Sequence, residues 1–319
     1  MYGIYVLMQF RDKLKLYFGS RQLLISIILT VALAYASSCL FLFLRQRHFI
    51  FRPSYKIREL PSSYNFKMPY QEVQIFVANS GQYLHSWWVP SPTDREHFYP
   101  IANEPAQVIK SKTTILYLCG AGGNKSYYNN LARVQAMRQL GFSVLVIDYR
   151  GFGASQGSFP SESQIYQDSQ SAWDYLVKTR QIAAENIVIY GESLGGSIAI
   201  NLAVKNPKAK AVIVQSSFTR MAEVIEEKYW LWLFPIDTIL TEKFDSLERV
   251  RSLKIPILFI HGTADDIVPS YMSEQLYKAA PEPKQIFLIP GARHYAIYQT
   301  GNNSYLRAIE KFMEKIDSR

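Results

Sequence analysis

Gly191-Glu192-Ser193-Leu194-Gly195 fixes a serine between two glycines, after the apolar run 187–190 and before the helix-like run 196–204. Strand, sharp turn and helix in that order lift a serine oxygen above the end of a sheet, where a nucleophile has to stand. Three fixed positions recur by chance, so the strand before and the helix after carry the weight. A serine alkoxide does not exist at neutral pH; the residue needs a base, and the base an orienting carboxylate. The apolar run 257–260 leads into His261-Gly262-Thr263-Ala264-Asp265-Asp266, and 286–289 leads into Pro290-Gly291-Ala292-Arg293-His294. Each places titratable groups just past a strand end, in the chain order serine, acid, histidine. Spacing alone does not separate Asp265 from Asp266. His261 reads as a structural histidine at its strand end. His48, His85 and His97 lie outside this pattern and are assigned no chemistry.

Attack on a carbonyl also requires two backbone donors for the developing oxyanion. The amide of Leu194, the residue after the serine, is one. The second is expected in the glycine-rich turn Cys119-Gly120-Ala121-Gly122-Gly123-Asn124, after the apolar run 114–118. Such a turn can instead cradle phosphate, but it lacks the Gly-Lys-Ser/Thr ending of a nucleotide loop. The two cysteines, Cys39 and Cys119, make no disulfide framework, and no cysteine or histidine spacing suits zinc. No metal or organic cofactor is implied.

These groups need a scaffold that brings several strand ends together. Short apolar runs at 114–118, 144–148, 187–190, 211–214, 257–260 and 285–289 alternate with helix-like segments near 126–140, 162–179, 194–205, 270–280 and 303–316. Continuous apolar strands between helices predict a parallel sheet covered on both faces. Residues 72–77 and 83–89 flank Asn79-Ser80-Gly81-Gln82 as a β-hairpin, so eight strands are expected. Residues 91–111 read as a polar surface loop. The fold class is therefore α/β: an eight-stranded, mostly parallel sheet over 71–319. A small helical cap near 216–253 contains the aromatic run Lys228-Tyr229-Trp230-Leu231-Trp232-Leu233-Phe234-Pro235.

The chain of 319 residues carries a formal charge of +9. Residues 1–60 hold nine basic residues against Asp12 and Glu59, which leaves the remaining 259 residues only +2. A nucleic-acid footprint belongs on the folded domain, so the near-neutral body argues against that partner. The charge surrounds Leu23 to Leu44, 22 residues without a charged side chain, which as a helix span about 33 Å. This predicts a basic segment over 1–22, a transmembrane anchor over 23–44 and a connector over 45–70, with membrane lipids as partners. Ala34-Tyr35-Ala36 has the look of a signal-peptide cleavage site, but cleavage there leaves an exposed apolar leader, which favours a retained anchor. Cys39 is a weak match to a lipid-attachment box. With four basic residues before the run and five after it, the positive-inside rule selects no orientation.

Together these segments resemble the α/β-hydrolase superfamily, and within it the membrane-anchored Bem46/ABHD-type serine hydrolases. Phe51-Arg52-Pro53-Ser54, residues 84–90, Asp148-Tyr149-Arg150-Gly151-Phe152-Gly153-Ala154-Ser155, residues 157–162 and 244–248 are similar to segments of that group, so the likeness covers most of 49–319. The resemblance implies Ser193 as nucleophile, Asp265 as orienting acid, His294 as base, and the amides of Ala121 and Leu194 as oxyanion hole. One departure is Cys119-Gly120, where the group usually has His-Gly, and it bears on how the turn is braced. The expected activity is cleavage of a carboxylic ester, thioester or related acyl bond, on an apolar or lipid-like substrate if the aromatic run lines a mouth rather than packing as core. A peptidase with the same machinery and a non-catalytic membrane interaction protein are the alternatives.

Overall fold

The computed structural model describes residues 2–93, 113–229 and 231–318. All six apolar runs enter one sheet as parallel strands: β4 (Thr114–Leu118), β6 (Ser143–Ile147), β7 (Ile187–Glu192), β8 (Ala211–Gln215), β9 (Ile257–Gly262) and β10 (Lys284–Ile289). The hairpin β2 (Gln71–Val77) and β3 (Gln82–Val89) joins antiparallel at the side of β6. The order β10-β9-β8-β7-β4-β6-β3-β2 makes the expected eight-stranded, mostly parallel sheet. Burial explains the two sequence patterns. β4, β6, β7, β8 and β9 are buried at every position, as continuous apolar runs require, while β2 at the edge alternates exposed and buried residues.

Helices α2 (Tyr128–Gln139), α3 (Glu162–Asp174), α4 (Leu194–Lys205), α8 (Ser270–Ala279) and α9 (Ile297–Asp317) fall where helices are predicted. Ser161 starts α3 with a reciprocal capping box to Gln164, and a π-helical turn over Tyr175–Thr179 extends it. Asn302, at φ 38°, breaks the helical path of α9, which begins earlier than the 303–316 pattern suggests. Between β8 and β9 the chain forms α5 (Met221–Tyr229), a 3₁₀ turn (Leu231–Leu233), α6 (Ile236–Ile239) and α7 (Ser246–Val250). Most of the polar stretch expected as a loop over 91–111, including His97, lies outside the described residues, as does Trp230.

Residues 2–50 form a single helix, α1 (Tyr2–Ile50), within which Arg21–Ile50 is long and apolar enough to cross a membrane by length and composition, with a mean hydropathy of 2.3 over an 18-residue stretch. Two compact units result: Met1–Gln46 with Phe234–Thr241, and Arg47–Leu233 with Glu242–Arg319. The sheet belongs to the second. A two-residue parallel ladder between β1 (Arg52–Pro53) and β5 (Gly122–Gly123) is an element the sequence did not announce.

Candidate active site

Ser193 stands between the end of β7 and the first residue of α4, with φ 55° and ψ −120°. A non-glycine residue at positive φ is strained, and the surroundings hold it there. Its amide donates to Gln215 O at 2.8 Å, and its carbonyl accepts from Ser217 Oγ at 2.8 Å and Gly196 N at 2.9 Å. The flanking glycines answer to space. A Cβ on Gly191 would lie 2.0 Å from Gly195 O, and one on Gly195 would lie 2.0 Å from Leu118 O. Helix and strand approach too closely at this turn for any side chain.

The β9 end carries Asp265. Asp265 Oδ2 lies 2.7 Å from His294 Nδ1 and 3.1 Å from His261 Nε2, while Oδ1 accepts from the amides of Ile267 and Val268, each at 2.9 Å. Burial on its own would raise the Asp265 carboxyl; the hydrogen bonds from His261 and His294, the charge of His294 and the Val268 amide outweigh it and hold the group well below the usual carboxylate range. Asp266, the rival in sequence, is exposed and lies 4.0 Å from Arg293. The second histidine is buried and structural in its contacts: His261 Nδ1 meets Ser273 Oγ at 2.6 Å and Nε2 also meets Val268 O at 2.9 Å. With Nδ1 turned to Asp265, His294 has Nε2 left for a proton on substrate or nucleophile. Among the described residues Ser193 Oγ makes no hydrogen bond to His294, so the structure joins Asp265 to His294 directly and leaves Ser193 on the turn after β7.

The glycine-rich turn lies against the serine: a Cβ on Gly120 would be 3.4 Å from Ser193 Cβ. Neither the Ala121 amide nor the Leu194 amide has an acceptor among the described residues. The turn is braced by the chain just after α1. Arg52 N donates to Ala121 O at 2.9 Å and Ser54 N to Gly123 O at 3.0 Å. Asn124 Nδ2 returns bonds to Ser54 O at 2.7 Å and Lys56 O at 3.0 Å, and Phe51 is buried edge-to-face against Phe159 and Phe244. The stretch expected as a connector thus runs through this strap. Below it, buried Lys125 pairs with Asp148 Oδ2 at 2.5 Å and donates to His85 Nδ1 at 2.7 Å. Burial and the Lys125 charge lower the His85 pKa and keep that ring neutral.

Cys119 is no competitor for the nucleophile. Burial, then the charges of Asp148 and Glu192, push its thiol well up. Maleimide treatment of the native protein is expected to leave Cys119 unmodified until denaturant is added; rapid native labelling at that position, read by peptide mapping, would refute its burial.

Sequence reasoning missed the ion pair behind the serine. Glu192, immediately before it, pairs with Arg133 at 3.0 Å, both side chains buried. Burial would discharge the guanidinium, but the Glu192 carboxylate overrides it and the Arg133 pKa is raised. A signal was available, since Asn130 and Arg133 share a helical stripe with Val134 and Met137. Among the described residues no three His, Cys, Asp or Glu side chains form a metal-ligand cluster.

Residues 127–317, which include Ser193, Asp265 and His294, match the model of the prolyl oligopeptidase family. The chain belongs to that family of α/β hydrolases. Relatives of this hydrolase include the uncharacterised protein Rv2307c of Mycobacterium tuberculosis, 33% identical over 288 residues that cover 90% of this chain and 94% of that protein. The protein bem46 of Schizosaccharomyces pombe is 34% identical over 180 residues, 56% of this chain and 60% of that one, in keeping with the resemblance read from the sequence. Among solved structures, the Pyrococcus furiosus esterase Pf2001 superposes with TM-score 0.66 at 15% identity, over 83% of this chain and 98% of that one, which shows a shared fold.

Proposed function

We propose that this α/β hydrolase is a serine hydrolase of carboxylic esters, thioesters or related acyl bonds, held at a membrane by residues 23–44. The observation that carries the reading is the 2.7 Å bond between Asp265 and His294, on a sheet whose β7 ends in a serine at positive φ. Ser193 Oγ attacks the carbonyl carbon as His294 Nε2 takes its proton. The carbonyl electrons move to oxygen, held by the amides of Ala121 and Leu194. As the intermediate collapses, the bond to the leaving group breaks and His294 returns the proton to it. Water, deprotonated by His294, then attacks the acyl-enzyme; the acid leaves and the serine is restored. Asp265 holds the imidazole with its proton on Nδ1 throughout.

The test is a fluorophosphonate probe on the full-length protein, followed by p-nitrophenyl esters of graded chain length. Labelling that survives Ser193→Ala would place the nucleophile elsewhere. The family match favours a second reading, a peptidase using the same residues. An acyl-prolyl anilide assayed beside the esters decides: turnover faster than that of every ester would favour the peptidase.

The strap yields a further prediction. Asn124→Ala removes both bonds to the 54–56 backbone, and kcat is expected to fall on the order of 10- to 100-fold with KM little changed, because the Ala121 amide loses its placement. Unchanged kcat in a folded variant, judged by its thermal midpoint, would mean that the strap does not position the hole.

A further inference from the structure

The aromatic stretch before Pro235 takes no part in the reaction above, and its placement points to a partner. Within the first unit, Phe234–Thr241 lies along the carboxyl-terminal half of α1. The Phe234 ring stacks on Tyr35 with centroids 5.5 Å apart and planes within 2°. Eleven residues along the helix, Gln46 Oε1 accepts from Thr241 N at 2.7 Å and Thr241 Oγ1 at 3.0 Å, and Gln46 Nε2 donates to Ile239 O at 3.4 Å. Tyr35 lies nine residues inside the last uncharged position, Leu44, or about 13 Å along the helix axis. A chain segment stacked there lies well inside the apolar run.

Two properties suit that segment to hydrocarbon. Lipid offers no hydrogen bonds, so backbone donors must be satisfied within the protein. Pro235 has no N–H, Ile236 N donates to Phe234 O, and Leu231–Leu233 forms a 3₁₀ turn; just beyond, the amides of Thr238, Ile239, Leu240 and Thr241 also have protein acceptors. The residues just before Phe234 are strongly apolar and largely exposed: Trp232 is 69% exposed and Leu233 61%. Adjacent exposed apolar side chains of this size signal an interaction surface, and tryptophan favours the membrane interface.

We propose that Leu231–Ile236 is a second membrane element, a re-entrant turn that enters the same leaflet as the carboxyl-terminal half of α1, with lipid acyl chains covering Trp232 and Leu233. The inference rests on the reading of α1 as a membrane helix. It deepens the proposed function, because a hydrolase whose cap enters the bilayer meets acyl substrates dissolved in lipid.

The experiment uses the full chain with Cys39→Ser and one added cysteine, Leu233→Cys, labelled with an environment-sensitive fluorophore. The protein is reconstituted in phosphatidylcholine vesicles with a minority of phosphatidylglycerol. Nitroxide on lipid acyl chains is expected to quench position 233 severalfold more than aqueous iodide does, as it should at a Leu29→Cys control in α1. Iodide quenching at 233 with lipid quenching at 29 overturns the re-entrant turn and leaves the anchor standing. Iodide quenching at both positions removes the anchor reading, and this inference with it. Concentration-dependent cross-linking of 233 to 233 assigns the surface to a second copy and overturns the proposal. As an independent readout, Trp232→Ser with Leu233→Ser is expected to lower turnover of a long-chain ester embedded in vesicles by on the order of tenfold or more, with a soluble short-chain ester unaffected. Equal loss on both substrates would count against it.

Discussion

Ser193→Ala is expected to lower kcat on acyl esters by on the order of 10⁴- to 10⁶-fold while the fold survives, the scale seen when one member of a catalytic unit is removed. The bonds that hold the turn involve the Ser193 amide and carbonyl, with Gln215, Ser217 and Gly196, and alanine keeps them all. Only the Oγ is lost. Residual rate above the uncatalysed reaction is expected, because the amides of Ala121 and Leu194 remain. Ser193→Gly makes a useful companion. At φ 55° glycine relieves the strain that serine and alanine both carry, so it should be more stable than the alanine variant by roughly 1 kcal/mol and equally inactive. Burst kinetics and denaturant unfolding of the three proteins read both effects. A rate within tenfold of the parent for Ser193→Ala would sink the assignment of the nucleophile.

Asp265→Asn is expected to cost on the order of 10⁴-fold in kcat, whereas Asp266→Asn should stay within about twofold. The side chain of Asp265 is buried and its Oδ2 serves two imidazoles, His294 at 2.7 Å and His261 at 3.1 Å. An amide cannot accept on both sides. With its oxygen on the imidazoles its NH2 group faces the Ile267 and Val268 amides; turned to satisfy those amides it presents a donor to His294, which then loses the partner that fixes its tautomer. Stability falls as well, with a pH signature. The folded-state pKa of Asp265 is depressed, so its contribution is fully present above the unfolded value near 4 and is lost as pH falls through the folded value. The stability gap between parent and Asp265→Asn should therefore be widest above about pH 5 and narrow in acid. Urea unfolding across that range measures it. A gap that widens toward low pH would contradict the depressed carboxyl, and full activity of Asp265→Asn would remove the residue from the mechanism.

Much of the fold was legible because its signals are local. A strand buried on both faces must be apolar throughout, so the runs that became β4 and β6 to β9 announced themselves. Gly191 is demanded by a close approach to Gly195 within the turn and Gly195 by one to Leu118 at the end of β4, and that requirement is written at fixed spacing around Ser193. A long uncharged run with charge only on its flanks likewise needs no tertiary information to be seen.

What stayed hidden depends on contacts between residues far apart in the chain. Asp265 and Asp266 are chemically identical neighbours; the resemblance singles out Asp265, but the physical ground for preferring it is its bond to His294, 29 residues on. Arg52 and Ser54 look like linker because their role lies in backbone amides that meet the turn at 121–123, and an amide leaves no trace in residue type. Arg133 and Glu192, 59 positions apart, meet as a buried pair only once the chain has folded. Phe234 reads as cap until its ring meets Tyr35, almost 200 positions earlier. The sequence by itself determined which segments become strands and helices and which residue types could do the chemistry. Tertiary structure decided which of those groups meet, because hydrogen bonds and ion pairs act over about 3 Å and only the folded chain brings distant residues that close.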